Sequence, residues 1–439
     1  MVDTAHASTS GRSSGLWVVA ICLVTIIFDG YDLIVYGAVV PALTAPGSEW
    51  QLTLPQVGAI GSYALMGMVV GTLIAGALTD VLGRRRIMLA SIAWFSIAMG
   101  LSAMAPSPEI FGAMRFVTGM GLGGVVPTAI ALTVEYAPAH RRNFNNALMF
   151  SGFSIGGVLA AVLAINLLPD HSFRVLFWVG IAPLLIVVPF AWKFLPESAA
   201  YLLARGRRDE AEALAARYGI PLPTEPGGME KKNAVATLFA GNRIIATILF
   251  GAASFIGLLL VYGLNQWLPK IMTTAGFPLG SALTFLLVLN VGAVVGSLLV
   301  SLLADKWGSK AVTIAAFGSA AASLAVLATK PEAGLLMALI AAAGFGTTGT
   351  QILINGYVAT HYPASARATA LGWSLGIGRI GAIVGPTYGA WLLASGNGIE
   401  WNFYGFAIPA VIGALIIAAV PASREIRSRV KPSELTVRH

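Results

Sequence analysis

Charge is scarce in these 439 residues: Asp, Glu, Lys and Arg make up 10%, against roughly 25% in soluble domains. That scarcity excludes an ordinary water-exposed surface. Cysteine is almost missing, so no disulfide framework exists, and the single Cys22 lies in an apolar run where it reads as packing. Histidine is sparse too. His140, His171 and His361 lack metal-ligand company and read as solvated. No Ser–His–Asp or metal constellation falls in a loop long enough to host one, and no folded extramembrane domain is evident. An enzyme, a receptor or a cofactor-bearing protein is therefore not expected.

What the chain has is apolar length. Hydrophobic residues make up 57%, and the mean hydropathy is +0.80. A bilayer core takes about 20 apolar residues per helix. Such stretches occur near 17–40, 55–78, 87–104, 109–134, 144–167, 174–194, 244–268, 280–303, 311–329, 333–359, 367–393 and 401–420. Each is expected to be helical, because an unpaired backbone group in lipid is too costly. The predicted organisation is a cytoplasmic tail 1–16, a six-helix half 17–194, a cytoplasmic loop 195–241, a second half 242–420 and a tail 421–439. The first span lacks a small-residue cleavage site after it and reads as retained rather than as a signal peptide.

The net charge of +8 reports orientation, with no nucleic acid implied. Twenty-two of the 27 basic residues fall in segments that share a side with the N-terminus, and only Arg174, Lys270 and Lys330 in the opposite loops. That bias puts both termini in the cytoplasm. The other two, Arg115 and Arg379, lie within spans. In the central loop, YLLARGRRDEAEALAARYG has helical spacing, with Ser198 or Glu197 as cap and Gly219 as stop, then Pro221, Pro223 and Pro226 as linker. It reads as an amphipathic helix lying under the halves.

Shifted by 225 residues, the chain repeats itself at helix-shaping positions. Gly67, Gly71, Asp80, Gly83, Gly119, Gly121, Gly124, Pro138, Arg142 and Gly156 fall on identical residues from Gly292 to Gly381. Parallel repeats of this kind build transporters. The buried charges do not repeat: Asp29 falls on Ser254, Asp32 on Gly257, Arg115 on Ile340, and Arg379 on Ser154. An intramembrane carboxylate is costly and by default faces a proton, ion or substrate path. Asp29 and Asp32, at i and i+3, are expected on one helix face. A structural ion pair between one of them and Arg115 stays open, and so does a structural pairing of Arg379.

The loop Gly76–Arg86, with Asp80, Gly83, Arg84 and Arg85, and its copy Ser301–Lys310, with Asp305, Lys306 and Gly308, resemble the G-x3-D-[RK]-x-G-R-[RK] signature of the major facilitator superfamily. Val81, Ser301 and Ser309 depart from it. Arg115-Phe-Val-Thr-Gly119 resembles that superfamily's R-x-x-x-G motif. Asp29-Gly30-Tyr31-Asp32 and the segment Gly376-Ile-Gly-Arg379 resemble the aromatic acid:proton symporter family, and the continuation to Tyr36 and Gly37 is most like its benzoate branch. The resemblance implies an all-α membrane protein with twelve transmembrane helices in two six-helix halves, the major facilitator fold, in a bacterial inner membrane.

It further implies proton-coupled import of an aromatic carboxylate such as benzoate or a hydroxybenzoate, with no cofactor beyond the proton gradient and a monomer expected. Muconate or shikimate is the alternative substrate. A drug exporter is disfavoured because the fifth span lacks a Gly-Pro-x-x-Gly-Gly ending, and a sugar facilitator has no need of two mid-membrane carboxylates. The implied roles are proton coupling at Asp29 and Asp32, and substrate binding at Arg115, Arg379, Gln351, Asn355, Tyr31 and Tyr36. The loop residues named above, joined by Glu135, gate the inner side.

Overall fold

The computed structural model describes residues 7–137, 142–222, 236, 238–239 and 243–421, and all regular structure among them is helical. In chain order the helices are α1 (Ala7–Leu43), α2 (Leu54–Leu82), α3 (Arg84–Ala103), α4 (Pro108–Tyr136), α5 (Arg142–Leu167), α6 (Arg174–Val179) and α7 (Ala182–Phe194). Then come α8 (Ala199–Ala204), α9 (Arg208–Tyr218), α10 (Arg243–Thr274), α11 (Leu279–Trp307), α12 (Ser309–Leu327), α13 (Ala333–His361), α14 (Ala364–Ala394) and α15 (Ile399–Ala419). Among the described residues, eleven segments are long and apolar enough to cross a membrane, with α6 and α7 forming one of them. The twelfth expected span, α14, has the length, 31 residues, but its middle carries Arg379 among glycines.

Three local expectations change. The helix of the first span starts at Ala7, inside the segment read as a tail. The sixth span is broken at Gly180–Ile181, where Pro183 cannot donate a backbone N–H to the preceding turn. The amphipathic segment is two short helices parted at Gly206, whose φ of +74° a side chain would disfavour. Ser198 does cap the first of them, accepting from the Tyr201 amide at 3.3 Å, and Gly219 (φ +64°) ends the second. Their apolar residues Ala211 and Ala215 are buried, and the Tyr218 ring meets Tyr136 edge-on at 5.1 Å. Pro223 and Pro226 lie outside the described residues.

Packing repeats with the sequence. α1 packs on α5 as α10 packs on α14; α2 packs on α4 as α11 packs on α13; α3 packs on α4 as α12 packs on α13. The repeated glycines explain this. A Cβ on Gly67 would overlap the Phe116 carbonyl and one on Gly119 the Ala64 carbonyl. The copies at Gly292 and Gly344 meet the Ala341 and Leu289 carbonyls in the same way, also 225 residues on. Helix backbones touch only where the side chain is hydrogen.

The two sets of helices meet through α2 with α14, α5 with α11 and α1 with α10. Named contacts between them lie from mid-helix to the end away from the termini. Ser62 Oγ donates to the Ile383 carbonyl at 2.7 Å, Gln266 Nε2 to the Val57 carbonyl at 3.5 Å, and a Cβ on Gly58 would lie 2.7 Å from Cβ of Ala390. Toward the terminal end, Gly76 on α2 and Gly372 and Gly376 on α14 have nothing within 4 Å of an added Cβ. No close contact between the two helices is made at those positions.

Candidate functional site

Asp29 and Asp32 are both buried at mid-helix in α1, but they do not share a role. Three residues along an α-helix turn the side chain through about 300°, so the pair diverges by about 60°. Asp32 points into its own half. Its Oδ1 accepts from Arg115 Nη1 at 2.6 Å, and its carbonyl accepts from Arg115 Nη2 at 3.2 Å. Arg115 is 1% exposed and is boxed by the rings of Tyr36 (5.6 Å) and Phe177 (5.8 Å). Tyr36 donates its hydroxyl to the Val57 carbonyl at 2.8 Å, and Tyr31 donates to the Leu176 carbonyl at 2.7 Å.

Arg115, Tyr31 and Tyr36 are enclosed within the first six-helix set, each bonded there, while Arg115 Nε and Asp32 Oδ2 remain buried without a hydrogen-bond partner. The structural ion pair left open by the sequence is the one that forms, between Arg115 and Asp32.

Asp29, turned about 60° from Asp32, faces α14. Its strongest charged partner is Arg379 on α14, with Asp32 next, and its Oδ1 is buried without a hydrogen-bond partner. Arg379 is half-buried; Nη1 rests 3.8 Å from the Met68 thioether of α2. Tyr262 on α10 is near enough to Arg379 and Asp29 to feel both charges. Tyr262 in turn packs edge-on against Phe153 of α5, ring centroids 6.0 Å apart. A carboxylate, a guanidinium and two rings from both helix sets thus converge, and the cation has no salt bridge among the described residues. Such a guanidinium can hold a carboxylate through its planar fork, and rings beside it suit an aromatic acid.

Gln351 and Asn355 of α13 are joined, Nε2 to Oδ1 at 3.2 Å, and Gln351 also reaches Ser254 Oγ at 3.4 Å. Ser254 pairs with Ser374 at 2.7 Å. Gln351 Oε1 is buried and unpartnered against Gly257, the repeat mate of Asp32. A neutral amide therefore lies against the position of the missing carboxylate, and the Gln351–Ser254 bond ties α13 to α10.

At the terminal end, Arg84 pairs with Glu135 at 2.7 Å, and Glu135 also accepts from Ser198 Oγ (2.7 Å) and the Ala200 amide (3.2 Å). The Arg85 amide donates to Glu197 Oε1 at 3.1 Å, and the Arg85 guanidinium donates to the Trp192 carbonyl. All these bonds stay within the first helix set. Asp80 is exposed and has no ion pair among the described residues, and Gly83 turns the chain at φ +92°. In the second copy Gly308 turns at φ +82°, Lys306 lies over Trp307, and the Asp305 side chain is outside the described residues. His361 is buried among Phe250, Tyr357 and Tyr362, which corrects its reading as solvated; aromatic burial outweighs its polarity. His171 is exposed, and His140 lies outside the described residues.

Sequence reasoning missed Tyr262, Met68, Ser254 and Ser374, and it took Glu197 and Ser198 for caps alone. None of these stands out in an apolar or helical pattern; only proximity in the fold selects them.

The family model for the Major Facilitator Superfamily matches residues 22–331 and 286–438. The gentisate transporter of Corynebacterium glutamicum is 39% identical over 398 residues, spanning 90% of this chain and 85% of that protein. The benzoate transport protein of Acinetobacter baylyi is 37% identical over 91% of this chain and 88% of its own length. The 4-hydroxybenzoate transporter of Pseudomonas aeruginosa is 32% identical, over 93% and 91%. Among solved structures, the inward-open xylose transporter of E. coli superposes with a TM-score of 0.74 at 17% identity, covering 93% of this chain and 97% of that one. At that identity the likeness concerns the fold.

Proposed function

The chain belongs to the Major Facilitator Superfamily, among its aromatic acid symporters on the benzoate-like side, and on that premise we propose that it imports a small aromatic carboxylate together with protons by alternating access. The observation that carries this reading is the electrostatic pairing of Asp29 with Arg379 from the opposite helix set, with Asp29 Oδ1 unpartnered and Arg379 without a salt bridge among the described residues. The chain's likeness to gentisate, benzoate and 4-hydroxybenzoate transporters supports the substrate class.

The mechanism follows from charge balance. With Asp29 ionised, Arg379 has an internal counter-ion. A proton on Asp29 removes that negative charge, and the substrate carboxylate takes its place on the guanidinium while its ring lies against Tyr262 and Phe153. Proton and acid together restore neutrality at the junction, the condition under which residues 17–194 and 242–420 rock past each other as two bodies. Asp32 and Arg115 remain paired and keep the first body rigid. The terminal end, rich in basic residues, is the cytoplasmic side of a bacterial inner membrane. The transporter acts as a monomer, and Asp80 engages its partners on closure of that side.

Uptake into proteoliposomes tests this. Labelled gentisate, benzoate, 4-hydroxybenzoate, muconate and xylose are supplied with and without an inward proton gradient. Gradient-driven accumulation of at least one aromatic acid, and none of xylose, is expected. Accumulation that ignores the gradient would overturn the coupling, and a preference for xylose or muconate would overturn the substrate class.

A further inference from the structure

Beside the ion-pair network at the terminal end is a cleft of about 440 Å³ between α3, the end of α7 and the short helices α8 and α9. Arginines 85, 86 and 207 line it, along with Glu197 and Glu210. Both carboxylates are already engaged. Glu197 Oε1 accepts from the Arg85 and Ser198 amides at 3.1 and 3.0 Å, and Glu210 forms a two-pronged pair with Arg207 at 2.7 and 2.6 Å. Arg86 has no ion pair among the described residues. Arg85 spends one guanidinium nitrogen on the Trp192 carbonyl, while its Nε is buried with no hydrogen-bond partner. The cleft thus carries three guanidinium groups against two carboxylates, a net charge of +1, and an unused buried donor.

Its other walls are apolar: Leu89, Leu202 and Leu214, with the Trp192 ring 5.9 Å from the Arg85 guanidinium. Away from the cleft, the bilayer-facing surfaces of α3 and α7 continue as exposed Trp94, Ile97, Ile186 and Phe190. A tryptophan at the level of paired arginines marks a membrane–water boundary, and basic pockets between helices there receive lipid headgroups.

We propose that this cleft binds the phosphate of an anionic phospholipid, with Arg85 and Arg86 on the phosphate and the acyl chains lying along α3 and α7. A free phosphate has the same head chemistry but makes no use of the leucine wall or the apolar surface that runs on from it. The bound lipid shares Arg85 with the Glu197 contact, next to the Arg84–Glu135 pair, so it stabilises the inner-side network of the first helix set. The proposal stands apart from the transported substrate.

Native mass spectrometry of the purified full chain, titrated with phosphatidylglycerol or phosphatidylethanolamine, tests it. A saturable phosphatidylglycerol adduct is expected, weakened about fivefold in Arg86→Gln, in line with the contribution of one basic residue to an anionic surface. Leu214→Gln should weaken it too, while Arg208→Gln, outside the cleft, should not. Millimolar inorganic phosphate should leave the adduct intact. Circular dichroism and a melting curve identify any variant that fails to fold, in which case the phosphate-competition and phosphatidylethanolamine arms on the wild-type chain decide. Equal retention by folded Arg86→Gln, equal binding of phosphatidylethanolamine, or displacement by inorganic phosphate would each overturn the proposal.

Discussion

At the scale of single residues, the two carboxylates of α1 separate by what they touch. Removing the charge of Asp32 leaves Arg115, 1% exposed, without its counter-ion. An uncompensated buried charge costs roughly 3–5 kcal/mol, so Asp32→Asn should lower the melting temperature sharply, and Asp32→Asn with Arg115→Met should recover most of it. Asp29→Asn disturbs no hydrogen bond of Oδ1. It should melt like the wild type and retain substrate counterflow, yet lose accumulation driven by the gradient. Equal melting of the two single variants would refute this division of labour.

Arg379 makes a second test at this scale. If it grips the acid, Arg379→Lys should fail nearly as badly as Arg379→Ala, since an ammonium offers no planar fork. Losing such a charge-assisted pair costs roughly 2–5 kcal/mol, enough to erase detectable uptake. Calorimetry of the family's aromatic acids on folded Arg379→Ala decides it, and wild-type affinity there would remove Arg379 from the substrate site.

At the scale of elements, glycine position is the controlling variable. A side chain on Gly119 would overlap the Ala64 carbonyl, whereas one on Gly356 meets nothing within 4 Å. Gly119→Val should therefore cost about 1–3 kcal/mol or more by forcing α2 from α4, while Gly356→Ala leaves the melting curve unchanged. The repeated glycines were legible in the sequence because they answer a local demand, two backbones in contact. The break of the sixth span was less legible: Pro183 was visible, but α6 and α7 together keep the hydropathy of a single span.

At the scale of the molecule, the contacts between the helix sets predict how to trap it. α2 and α14 are in close contact at Gly58 and Ala390, where an added Cβ would lie 2.7 Å from the Ala390 Cβ and the helices need ease apart by only about 1 Å to reach disulfide geometry. A Gly58→Cys/Ala390→Cys pair should oxidise spontaneously and stop uptake, with transport restored by reductant; the native Cys22 is buried and does not compete. Uptake that persists in the fully oxidised protein would mean that this end need not open. Asp80→Asn should slow transport while leaving the binding constant unchanged, because Asp80 is exposed, has no ion pair among the described residues, and lies at the end of α2, about three turns beyond Met68 beside Arg379. A variant whose only defect is weaker binding would place it elsewhere.

The amino-acid sequence by itself determined the helices, their approximate ends, the duplicated scaffold and the charge asymmetry. Each of these depends on a local quantity: apolar length, residue spacing, or the absence of a side chain. Only the tertiary structure decided which buried cation serves which carboxylate. Helical spacing sets the angle between Asp29 and Asp32, but nothing along the chain says that α4 stands behind one and α14 in front of the other. Helix packing made that choice, enclosing Arg115 and leaving Arg379 at the junction of the two halves.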